Sequence, residues 1–168
     1  GASFNFKFVL NNAHGEYFMW AADDDEWENF YIQKLVRLLK MPSMKQFVAA
    51  TFETQYKDKK DKRLDFFPAG TPFYNYKSTS SFERLQYMLK FHYPNIIYSI
   101  YRCEALKKNL VFAQNEIPLF LNIIQQGNWI VLPEIGFYKT STLSTYAQEK
   151  WELEGGYLEP FSQNNLAT

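Results

Sequence analysis

The segment PLFLNIIQQGNWIVLPEIGFYKTSTLS, residues 118–144, decides how this chain is read. Its first part, PLFLNIIQQ, is an amphipathic apolar run of helical character with a proline near its beginning, and Gly127-Asn128 breaks the pattern. The apolar run from Trp129 to Leu132 then meets Pro133-Glu134-Ile135-Gly136, a combination rich in turn chemistry, and Phe137-Tyr138-Lys139-Thr140 follows as a returning strand. The pattern predicts a helix feeding an apolar β-hairpin, the geometry of a wing.

Working back from there, SFERLQYMLKFHYP (81–94) spaces Phe82, Leu85, Met88, Leu89 and Tyr93 along one helical face, with Ser81 as a candidate cap. PNIIYSIYRCEALKKN (94–109) begins with proline, which is well placed at a helix start because its missing amide hydrogen has no partner there. LVFAQNE (110–116) is short enough for a strand. Helix, helix, strand, helix and hairpin is the order of a winged helix.

The first half opens with Phe4, Phe6, Phe8 and Leu10 alternating with other residues, the period of a half-buried strand. NNAHG supplies a turn and EYFMWA a return strand, so a β-hairpin is expected. A helix is predicted over 22–42, with Asp23 or Asp24 as cap and acidic residues in its first turn; residues 43–56 suit a second helix or a strand, since Phe47, Val48, Thr51 and Phe52 fit either, and the helix is preferred. Residues 57–81, with a charged run and then prolines, glycine and serines, form the expected boundary between an N-terminal hairpin-plus-helix subdomain (1–78) and a winged-helix-like subdomain (79–168). A last helix is expected near 144–154, before Gly155-Gly156. The fold class is α+β, mainly helical, winged-helix-like as one unit or a tandem pair, with short β-hairpins.

Eighteen Lys and Arg balance 18 Asp and Glu, which leaves little long-range attraction for phosphate backbones. The one local basic run lies at Lys57, Lys59, Lys60, Lys62 and Arg63, interrupted by two aspartates and read either as a solvated loop or as a nucleic-acid patch. In the helix and wing, Asn122, Gln125, Gln126, Trp129, Ile135, Phe137, Tyr138 and Lys139 are the candidate interaction residues. Their apolar members suit either the domain's own core or a protein partner, and the scarcity of cations turns this surface away from DNA.

The run Asp23–Glu28 is read as helix capping rather than as a metal cluster. His14 and His92 are isolated, and Asp65, His92 and Cys103 show no catalytic spacing. No phosphate loop, nucleophile elbow or paired-cysteine motif occurs, so neither an enzyme nor a cofactor is expected. Cys103 is the single cysteine, which fits a packed thiol in a reducing, nuclear or cytoplasmic compartment. No run of apolar residues approaches a membrane span.

ENFYIQKLVRLLKM and IPLFLNIIQQGNWIVLPEIGFYKTST together resemble the C-terminal winged-helix region of the Stn subunit of the telomere-associated CST complex. Residues 29–41 and 118–142 carry the likeness, and the distance between them implies a long insertion or two consecutive winged helices. Lysine outnumbers arginine 14 to 4 and asparagine is frequent, as in proteins of AT-rich genomes. The resemblance implies a non-catalytic module of a DNA-maintenance complex, with protein subunits as partners and weak or indirect contact with nucleic acid. The alternatives are a pleckstrin-homology-like scaffold that binds peptide or lipid, favoured if residues 47–76 are strands, and a small bacterial immunity or effector protein.

Overall fold

The computed structural model describes residues 2–57, 63–64, 77–90, 94–108 and 117–140. The expected strand over 110–116, the last helix and most of the 57–81 boundary lie outside the described residues.

Trp129–Leu132 is apolar at every position, as a strand must be when both its faces are buried. It does not turn back. Residues Asn128–Thr140 form one strand, β6, which runs parallel to β3 (Phe47–Lys57) from Phe47↔Asn128 to Lys57↔Thr140. β5 (Ile100–Arg102) lies antiparallel on the other side of β3, and β1 (Tyr17–Phe18) and β2 (Glu26–Trp27) close the two edges. The order is β1-β5-β3-β6-β2, and β4 (Arg63–Leu64) pairs with the far end of β3.

This curled, mixed sheet dominates an α+β fold with short helices, and it overturns the mainly helical, winged-helix expectation. A wing needs an antiparallel return after Leu132, whereas Pro133-Glu134-Ile135-Gly136 is absorbed as a bulge. Leu132 lies opposite Phe52, Ile135 opposite Glu53 and Phe137 opposite Thr54, so β6 carries extra residues where β3 carries none. Gly136 is required there for space, since a Cβ would come within 2.6 Å of the Phe52 ring.

The N-terminal expectations change for equally local reasons. Residues Ala2–Asn11 form helix α1, not a strand. An apolar residue at every second position also recurs at every fourth, and i, i+4 residues share a helical face. Leu10 is buried and Phe6 packs beside it, while Phe4 and Phe8 point outward. Helix α2 spans only Tyr31–Leu39, with no side-chain cap at its N-terminus. The second predicted helix is a 3-10 turn at Pro42–Met44 followed by β3, whose first six residues are all buried. The pleckstrin-homology alternative wanted strands from 47 onward and finds one in β3, but its opening strand pair is replaced by α1 and the two-residue β1.

In the second half, α3 (Ser81–Lys90) and α5 (Ile117–Gln126) stand where periodicity places them. Ser80 rather than Ser81 caps α3, its hydroxyl accepting the Glu83 amide at 3.3 Å. The segment after Pro94 is not one helix. It divides into a 3-10 turn (Pro94–Tyr98), β5 and the short α4 (Cys103–Lys108). The single sheet takes β1–β4 from before residue 78 and β5 and β6 from after it.

Helices cover both faces of the sheet. On one face Leu10 of α1, Met88 of α3 and Leu119, Phe120, Ile123 and Ile124 of α5 pack with Trp129 and Val131. On the other, Tyr31, Leu35 and Leu39 of α2 pack with Phe52, Ile100 and Phe137. Trp129 is fully buried, edge-on to Tyr101 at 5.2 Å and to Phe120 at 5.8 Å, and its indole N–H donates to Ser99 Oγ at 2.9 Å. Tyr31 anchors the opposite face, its hydroxyl donating to the Tyr98 carbonyl at 2.9 Å and lying 2.8 Å from Thr51 Oγ1.

Arg84, only 7% exposed, joins α3 to the end of α5. Its Nε donates to the Ile124 carbonyl at 2.8 Å and its Nη2 to the Gln125 carbonyl at 3.0 Å, filling acceptors that a helix C-terminus leaves open. Burial pushes its pKa down from the usual arginine value.

Replacing Gly136 by alanine tests the bulge. The added methyl meets the fixed end of a buried ring, so G136A should lower unfolding free energy by about 1–3 kcal/mol in urea titration. An unchanged midpoint would mean that β3 and β6 are not in this register.

Candidate functional site

The residues expected to form an interaction surface divide into three groups. Trp129 and Phe137 are core residues on opposite faces of the sheet. Asn122 and Gln126 on α5 are half-buried and Gln125 is exposed, with Gln126 Nε2 donating to the Ala105 carbonyl at 3.0 Å. Ile135, Tyr138 and Lys139 are half-buried on the outer half of β6. These side chains share an α5–β6 unit but not one face.

The acidic run has a different use from the expected cap. Asp25 Oδ1 accepts the Thr140 amide at 3.1 Å, Glu28 accepts the Tyr138 hydroxyl at 2.9 Å, and Glu26 pairs with Lys57 at 2.9 Å. The first two pin the end of β6 to the β2 edge, and the third ties the end of β3 to the same edge. Lys57 therefore has a carboxylate partner, and its ammonium also stands 4.2 Å from the Tyr138 ring centre. Lys59, Lys60 and Lys62 lie outside the described residues, as does the side chain of Arg63. Asp65 and His92 are outside them too, whereas Cys103 is buried. Among the described residues no group of three or more His, Cys, Asp or Glu is placed to hold a metal ion, and no helix is long and apolar enough to cross a membrane.

Two surfaces emerge that neither motif nor run announces. The first is the outer side of α1, where Phe4 is 68% and Phe8 56% exposed, with ring centres 6.0 Å apart and Val9 beside them in sequence. The inner side of the same helix is held by Leu10 and by Phe6, which packs 5.6 Å from Trp20. Apolar side chains thus stand on both sides of one helix, a composition suited to burial all round.

The second is an open cleft where β3 and β6 begin, made of two adjoining hollows of about 540 and 620 Å³ that share Arg102, Glu104 and Lys107. Ala13–Glu16 line one end, and Lys45, Lys108 and Gln126 the other. Arg102 is its fixed point. Nε donates to the Phe47 carbonyl at 2.9 Å, Nη2 to the carbonyls of Leu39 at 2.6 Å and Met44 at 3.3 Å, and Nη1 to the Tyr17 hydroxyl at 3.3 Å. Burial raises the Tyr17 pKa, helped by a hydrogen bond to Glu16 and opposed by the Arg102 charge.

No protein-family model matches the chain, and no curated protein matches it.

Because one planar fork ties the end of α2, the 3-10 turn and β3 together, R102K should be costly although charge is kept. Lysine cannot reach these acceptors at once, and a loss of about 2–3 kcal/mol is expected in chemical denaturation. A loss below about 0.5 kcal/mol would show that the fork does not hold the cleft floor.

Proposed function

We propose that this chain is a non-catalytic protein-interaction module of a DNA-maintenance assembly, and that it docks through the outer face of α1. The observation that supports this is the two-sided apolar character of α1: Phe6 and Leu10 face the core while Phe4 and Phe8 stand exposed on the same short helix. Aromatic residues four apart on an exposed helix are anchors of the helix-in-groove mode, in which an apolar groove of the partner receives them. Burying two phenylalanines gives the gain in such a contact, and their stacked arrangement means little side-chain freedom is lost on docking.

The DNA-maintenance setting is what the resemblance to the Stn subunit implies. The winged helix that accompanied it is not the fold of this chain, so the interaction reading stands on the α1 surface. The partner is a protein subunit with an apolar groove, not a membrane.

Affinity capture from source cells with wild type and with F4S/F8S, followed by sedimentation of the pure proteins, tests it. The double variant should fold with stability within about 0.5 kcal/mol of wild type, because both side chains are surface-exposed. It should lose a defined set of proteins that includes DNA-maintenance components. The same captured set with both proteins would refute α1 docking, and a wild-type dimer made monomeric by F4S/F8S would assign the face to a second copy instead.

A further inference from the structure

The zero net charge conceals a sorting of the cations. Lys34 and Lys57 are each paired with a carboxylate, Glu134 and Glu26 respectively. Around the cleft the arrangement differs: Lys45, Arg102, Lys107 and Lys108 surround one concave surface, and none of these four forms a salt bridge among the described residues. The carboxylates present are Glu104, on the shared wall, and Glu16, which stands 3.9 Å from another cation, Lys40.

The cations differ in what they offer. Arg102 contributes charge but has four of its five N–H donors committed, to three carbonyls and a hydroxyl. Lys107 reaches the Ala13 carbonyl with one of its three ammonium hydrogens. Lys45 and Lys108 are exposed at the rim. An excess of cations over carboxylates around a concavity concentrates positive potential there even when the whole molecule is neutral, and lysine binds phosphate as a point charge.

We propose that this cleft binds the phosphate backbone of single-stranded nucleic acid, with Lys45, Lys107 and Lys108 as the phosphate contacts. A stiff duplex presents its phosphates on a convex surface, whereas a single strand follows a concave basic track and leaves its bases free to stack. The exposed imidazole of His14 stands at one end of the track, an aromatic face for such a base. Glu104 works against binding and sets its strength. The contacts use side chains other than Phe4 and Phe8, so this site does not rest on the α1 docking surface.

The test is anisotropy titration of a labelled oligothymidylate of about 20 nucleotides at about 50 and 200 mM salt. Three phosphate contacts predict a log-log salt slope of about −2. K45E/K108E, checked by thermal melting to be folded, should weaken binding about tenfold or more and flatten that slope. E104Q should tighten it, and F4S/F8S should leave it unchanged. Equal affinity in K45E/K108E overturns the proposal, as does loss on K59A/K60A/K62A with the cleft variant intact. Saturable binding of tripolyphosphate without binding of the oligonucleotide also overturns it and identifies a small phosphorylated ligand.

Discussion

The parallel pairing of β3 with β6 is the constraint on which the rest of the molecule depends. Parallel neighbours cannot be joined by a tight turn, so the chain must leave the sheet after β3 and return beside it. Between the two strands it lays down α3, β5, α4 and α5, placing β5 on the free side of β3 and α5 over one face. A central parallel pair is also buried on both sides. One layer of helices would leave half of Trp129–Leu132 in water, and α2 supplies the second layer through Tyr31, Leu35 and Leu39.

Two arginines then close this arrangement, neither in a salt bridge among the described residues. Arg84 fills the carbonyls at the end of α5, and Arg102 those around the end of α2 and the start of β3. Both sit where chain direction changes and backbone acceptors have no intrahelical donor, and the guanidinium fork serves several at once. The cost is a positive charge that forms no salt bridge among the described residues. At Arg102 that charge lies in an open cleft with lysines around it, which is how a structural device also becomes an electrostatic one.

The outer side of α1 and the cleft belong to neighbouring parts of the chain, since Ala13 and His14 of the cleft follow directly after α1. The two proposals, docking through one and tracking a single strand along the other, would join the protein-partner expectation to the weak nucleic-acid expectation in one molecule. Lys57, by contrast, pairs with Glu26 and packs over Tyr138, and so helps hold the β2 edge.

The sequence by itself determined α3 and α5, because apolar residues at three- and four-residue spacing need only a helix to share a face. It also marked Trp129–Leu132 as a strand and Gly127 as the break before it. It did not reveal the partner of that strand. An uninterrupted apolar run says that both faces are buried, yet the same run serves a hairpin or a parallel neighbour some 80 positions earlier in the chain, and only packing chooses between them. The alternation at Phe4–Leu10 is ambiguous because a period of two contains a period of four. The cleft was illegible for another reason: Lys45, Arg102 and Lys107 come from segments that tertiary structure alone brings together, and charge acts through space, not along the chain.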